Sequence, residues 1–501
     1  MEELAFEGVP LAAPPAASPA APPAGPGPQD DGTPGSPASA PAVRLARQVQ
    51  RAHAAVLDAH QAVIAWQLAR ASASGSSPAA APPSAPPPDE RTASAGPAAH
   101  SGAVREGSGP TAQEEPPGSG SADGGWVLSD ELRAMVFAEY DDDAPPHALT
   151  GRQDTALLVR PSLPRGEMRM LDRIVSAEGA PGEYRPGSRG TTEYDVPQDP
   201  WYVRENGGAF PQLALMETAL QPAGLFGMYL GVADEYPDQD LSCRNLEGRC
   251  RLLRPITPGA VTVEQHVTLR SHTALPGGVL QRYGFELHSD GEPFYTGEAV
   301  HGYLTPELLD KQQGLDGGDR VPPWLDRCPR PPADVRRLDL REDRRLGSGR
   351  LALLTDVALV PDGGDHGRGY LLGTKPVRPD DWFFEQHFFR DPVMPGSAGV
   401  QMLYQTVYAY ALYTGLADHL PDPRCSVAVG EELSWSYRGQ ILREHQRVRG
   451  EVHIREARRD DGRVLVRADG SVWRDDLRIY EVNNIAVEIR PAEQRCTKDG
   501  R

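Results

Sequence analysis

Apolar and polar positions change texture several times along this chain. Residues 210–231, FPQLALMETALQPAGLFGMYLG, are apolar almost throughout, which predicts a helix buried on all sides rather than one lying on a surface. Pro222 inside it removes one backbone donor and predicts a kink or a restart. Strand-like segments follow, GAVTVEQHVTLRSHT and GVLQRYGFELHSDGEPFYTGEAVHGYLT, with turns at PGG and SDGE. Upstream, ALLVRP, MRMLDRIVSAEG and EYRPGSRGTTEYDVP predict short strands and turns. Residues 42–72 have a different rhythm. Val43, Leu45, Val49, Ala54, Leu57 and Val63 with Ile64 recur roughly every three to four positions in a stretch without Pro or Gly, predicting an isolated helix.

The order of apolar helix and long strands occurs twice. At an offset of 184 residues Pro211 matches Pro395, Gln221 matches Gln405, Gly231 matches Gly415 and Glu247 matches Glu431. Each copy ends in strands joined by a DG turn, the second being RADGSVWRDDLRIYEVNNIAVEIR. An apolar helix needs a sheet to cover it, and a sheet face needs a helix, so the repeat predicts two α+β units with one central helix each. The expected units are 126–308, with an N-terminal lead-in, and 351–495. Residues 309–350, rich in Pro, Arg and Asp, read as the connection between them.

Composition removes the front of the chain from this scheme. Of 50 prolines, 21 fall in the first 120 residues, mixed with Ala, Ser and Gly. Such segments do not bury enough apolar surface to offset their ordering entropy, so 1–41 and 73–125 read as disordered linkers flanking the 42–72 helix. The first 150 residues carry 7 Lys/Arg and 18 Asp/Glu, more than half of the formal net charge of -19. That acidity argues against a nucleic-acid partner. Five cysteines without a CxxC pair indicate neither a disulfide scaffold nor a metal knuckle. With no long apolar run and no signal-like start, no membrane partner is expected, and the expected location is cytoplasmic.

The densest chemistry lies in GRGYLLGTKPVRPDDWFFEQHFFRDPVMPGSAGVQMLYQTVYAYAL. His387 stands among Trp382, Phe383, Phe384, Phe388 and Phe389, and the chain then turns through Pro392 and Pro395 to Gly396. A helix beginning there presents unpaired N–H groups at its positive end. Small residues at 396–399 let a ligand approach the backbone. A fixed imidazole beside such a helix end suits proton abstraction next to a polarised carbonyl, although spacing alone equally fits a core histidine.

The stretch HFFRDPVMPGSAG closely resembles the signature of the FabA-like branch of β-hydroxyacyl-(acyl carrier protein) dehydratases, which have the hot-dog fold. GYLLGTKPVRPDDWFFEQHF and ADGSVWRDDLRIYEVNNIAVEI fit the same pattern. The duplicated arrangement is similar to dehydratase regions of polyunsaturated fatty acid synthases and iterative polyketide synthases. The resemblance implies a double hot-dog fold over residues 150–490, with the linker-like ends suiting a piece of a larger synthase. It implies that His387 is the catalytic base and that the Gly396 N–H meets the thioester oxygen, with Asp391 supporting the motif. The family's catalytic acid falls on Gln401 in the second unit but on Glu217 in the first, where the histidine position is Val203.

Each copy therefore lacks what the other retains, which implies one composite site, His387 with Glu217. Gln221 and Gln405 match a glutamine that orients the acid. Gln221, one helical turn beyond Glu217, is the stronger candidate. The implied reaction is dehydration of a 3-hydroxyacyl thioester carried on the phosphopantetheine of an acyl carrier protein, without a further cofactor. Other synthase domains are the remaining expected partners. Alternatives are a dehydratase that also moves the double bond from C2=C3 to C3=C4, a thioesterase, and a catalytically inactive carrier-binding pair. Duplicated Glu247 and Glu431 read as structural. The basic run 336–345, with Arg251 and Arg254, reads as a solvated linker or a docking surface for an acidic carrier.

Overall fold

The computed structural model describes residues 163–492, except 180–181, 237–238, 257–258, 331, 389–390 and 461. The expected helix at 42–72, the linkers at 1–41 and 73–125, and the lead-in up to residue 162 lie outside the described residues. In the first half, six strands are β1 (Arg173–Ala177), β2 (Arg189–Val196), β3 (Ser242–Leu252), β4 (Val261–Leu275), β5 (Gly278–Ser289) and β6 (Glu292–Leu304). They line up in the order β1-β2-β4-β5-β6-β3, and β2, β4, β5 and β6 pack on helix α1 (Gln212–Tyr229).

The second half contains β7 (Arg336–Asp339), β8 (Asp356–Val360), β9 (Tyr370–Pro376), β10 (Pro423–Val427), β11 (Glu432–Tyr437), β12 (Arg447–Asp460), β13 (Arg463–Arg474) and β14 (Leu477–Pro491). Its order β8-β9-β12-β13-β14-β11 repeats that of the first half around helix α2 (Gly396–Tyr413), with β7 added at the β8 edge and β10 beside β14. This is an α+β double hot-dog fold: each helix is buried nearly all round, as its uniformly apolar sequence requires.

The halves join strand to strand. β3 and β11 pair antiparallel, Arg251 opposite Glu432 through Glu247 opposite Ser436, so one sheet of 14 strands runs through both. Gly248 faces Trp435 across this seam, and a side chain at 248 would strike the indole. The indole N–H instead donates to Asn245 Oδ1 at 2.6 Å. Glu247 bonds Arg282 and Arg438, and Glu431 bonds Arg467, so both duplicated glutamates serve surface ion pairs.

Pro222 neither kinks α1 into two pieces nor restarts it; the helix runs unbroken from Gln212 to Tyr229. The ring leaves the Thr218 carbonyl without its helical donor. Gln265 of β4, fully buried, supplies one: its Nε2 donates to Thr218 O at 2.8 Å and to Met170 O at 2.7 Å. The reading of 309–350 as a bare connection is also corrected. Residues 336–339 form β7, and the stretch before them is docked on the second half, with Trp324 N donating to Glu451 and Asp316 paired with Arg478. Within the basic run, Arg341 pairs with Asp339 and Arg345 with Asp343.

Candidate active site

α1 and the turn before α2 meet at one cavity of about 100 Å³, lined among others by Glu217 from the first half and by His387 and Gly396 from the second. A four-residue helix, Phe383–Gln386, ends at His387. It is seated on the first half, because Gln386 O accepts from Arg165 N and Gln386 Oε1 from Met168 N. Phe383 and Phe384 are buried, and the His387 ring lies 3.8 Å from that of Phe388. Phe389 lies outside the described residues.

The direction of the imidazole follows from one hydrogen bond. His387 Nδ1 sits 3.1 Å from the Val393 carbonyl. A carbonyl only accepts, so Nδ1 carries the proton and Nε2 keeps its lone pair. Burial holds this imidazole below its ordinary value of 6.5, opposed by the charge of Glu217. Arg244 also pushes it down and Asp391 pushes it up.

Glu217 is buried and held from both sides. Ser397 Oγ donates to its Oε1 at 2.5 Å, and Gln221 Nε2 donates to its Oε2 at 3.0 Å. The Gln221 amide is itself fixed, accepting from Met170 N at 2.8 Å and donating to Met168 O at 2.9 Å. One segment, 165–170, thus braces the turn before His387 and the glutamine beside Glu217. Gln405 is elsewhere, with its amide on Leu351 O. Gln401 faces Leu213 N and Asn206, and Val203 is buried in the core.

α2 begins at Gly396; the Gly396 and Ser397 N–H groups come before any helical acceptor, while Ala398 N donates to Pro395 O at 3.0 Å. A Cβ there would lie 2.5 Å from the Tyr437 ring, so only glycine lets the helix start against that ring. Asp391 forms a two-bond ion pair with Arg244 of β3, both contacts at 2.7 Å, and Arg244 Nε donates to Gln440 at 2.9 Å. The first half therefore clamps the loop that carries His387. The bond from the Ser397 hydroxyl to Glu217, Arg244 and the 165–170 segment escaped sequence reasoning. Ser397 adjoins Gly396 inside the motif and was within reach; Arg244 stands 147 residues from Asp391 with no local signal.

The FabA-like domain model matches residues 346–483. The matched stretch is a little over a quarter of the chain. It holds His387, Gly396 and Ser397, while Glu217 comes from the half before it. A polyunsaturated fatty acid synthase polypeptide of Thraustochytrium sp. is 34% identical over 331 residues, covering 61% of this chain. The chain spans 22% of that relative's length. Among solved structures, the bifunctional dehydratase-cyclase domain of ambruticin biosynthesis overlaps 63% of this chain and 95% of its own, at 13% identity and TM-score 0.30. The 12:0-ACP thioesterase of Umbellularia californica overlaps 60% and 94%, at 12% identity and TM-score 0.34. Neither solved chain is close enough to the FabA-like domain or its companion half to assign a reaction. Among the described residues, no helix is long and apolar enough to cross a membrane.

Proposed function

We propose that this chain dehydrates a 3-hydroxyacyl thioester to the trans-2-enoyl thioester at one composite site. The observation that carries the reading is the single cavity lined by Glu217 of one half and by His387 and Gly396 of the other. His387 Nε2 takes the C2 proton, its lone pair kept free by the Val393 bond at Nδ1. Charge that develops on the thioester oxygen is met by the Gly396 N–H at the start of α2; losing such a donor typically costs about 3–4 kcal/mol. Glu217 gives its proton to the C3 hydroxyl, which leaves as water. The C2–H and C3–O bonds break, the C2=C3 bond forms, and the two protein groups recover their protonation states by exchange with solvent. No electrons leave the substrate, so the steps call for no redox cofactor.

Ser397 and Gln221 account for how a glutamate serves here. Each donates to one carboxyl oxygen, which limits the extra freedom of the longer side chain. The substrate arrives on a phosphopantetheine arm of an acyl carrier protein, in a synthase whose other domains make the 3-hydroxyl and use the enoyl product. The similarity to one stretch of a polyunsaturated fatty acid synthase polypeptide supports that setting.

The full chain incubated with a 3-hydroxyacyl-pantetheine thioester is expected to yield the α,β-unsaturated thioester, followed by its ultraviolet absorbance and by mass. Release of the free acid instead would replace dehydration with thioester hydrolysis. Product with the double bond at C3=C4 would add the isomerisation step.

A further inference from the structure

The cavity does not stop at the proton-transfer groups. Glu217, Leu220, Gln221, Gly224 and Met228 all line it, and their spacing places them on one stripe of α1. Between Glu217 and Met228 the helix advances about 16 Å at 1.5 Å per residue. With the thioester oxygen at Gly396 and the C3 hydroxyl at Glu217, the carbon chain beyond C3 continues along this stripe. Leu163, Cys243 and Leu246 also line the cavity and give its wall an apolar part.

The duplication supplies an internal comparison. At the 184-residue offset Leu220 corresponds to Tyr404 and Gly224 to Tyr408. The corresponding cavity along α2, lined among others by Tyr404, Gln405 and Tyr408 and by Pro211 and Gln212 of the first half, holds only about 20 Å³. Both tyrosines are buried, and Tyr408 Oη donates to Pro423 O at 2.6 Å, so that ring is fixed in place. Where the first helix has a glycine and an open channel, the second has a ring and almost none.

We propose that Gly224 is the specificity-determining residue of the site: by lacking a side chain it keeps open a channel for the acyl tail beyond C3, and so admits long-chain 3-hydroxyacyl thioesters. The inference rests on the dehydratase reading for the direction of the chain. A Cβ at 224 would lie 3.6 Å from Leu163 Cδ2 and 3.9 Å from Cys243 Sγ, ordinary contacts. A methyl therefore fits, while a ring must occupy the channel, as Tyr408 occupies its counterpart.

The test is calorimetric binding of butyryl- and dodecanoyl-pantetheine amides to the full chain, its Gly224→Ala variant and its Gly224→Phe variant. A butyryl tail ends before Gly224, so it serves as the reference for correct folding of each variant. The expected result is a preference for dodecanoyl in the parent, reduced modestly by alanine and by about a hundredfold by phenylalanine. A dodecanoyl-to-butyryl affinity ratio that stays the same across the series, including an equal loss of both, overturns the assignment. Because the amides are not turned over, failure of the dehydration assay leaves this ratio readable and refutes only the reaction.

Discussion

A buried imidazole with its Nδ1 committed to a carbonyl is a base with one free nitrogen, and its surroundings set where it works. Three ionisable groups act on His387 from three directions: Glu217 from α1 when it is ionised, Arg244 from β3 and Asp391 from its own loop. Burial outweighs them and lowers its pKa from 6.5. A base with a lowered pKa stays neutral, and active, to lower pH than free imidazole, so the acid limb of kcat/KM is expected below 6.5. Arg244→Gln removes a lowering charge and moves that limb up, whereas Asp391→Asn removes a raising charge and moves it down. Opposite shifts in the two pH profiles are the expected result. Shifts of the same sign would mean that the ion pair acts only by holding the loop. At this scale His387, Gly396 and Glu217 were legible because a long motif and its degenerate copy name them. Arg244 was not, because its role exists only once two distant segments are packed together.

Helix α1 shows why an element can be read correctly in kind and wrongly in detail. Its apolar run announced a buried helix, and Pro222 announced a break. The break is absent because Gln265, from a strand far along the chain, supplies the hydrogen bond that the proline forgoes. No local pattern encodes that donor. Gln265→Leu strands two buried carbonyls, Thr218 and Met170, and is expected to destabilise the fold by about 2–4 kcal/mol. Adding Pro222→Ala restores a backbone N–H for Thr218 and should recover part of that loss. Urea unfolding of the two single variants and the double variant measures it, and strict additivity would contradict the assignment. The strand β7 was missed for a different reason. Three of its four side chains are exposed, so the stretch shows no alternation and reads like a charged linker.

Across the molecule, duplication followed by unequal loss explains the arrangement best. Both halves keep the same strand order, and the β3–β11 seam holds them in one sheet. The second copy has Val203 and Gln401 at the positions that correspond to His387 and Glu217, and Tyr404 and Tyr408 line the small cavity there. The 184-residue repeat made this visible in outline. The central claim is that one site draws on both halves. Its most direct test is the dehydration rate of 3-hydroxybutyryl-pantetheine by Glu217→Gln, His387→Ala and the double variant, each checked for folding. Each single change is expected to lower kcat/KM by at least about a thousandfold, and the double change to be no slower than the worse single within about threefold. Activity within about tenfold of the parent in either single variant, or losses that multiply in the double, would contradict a shared site.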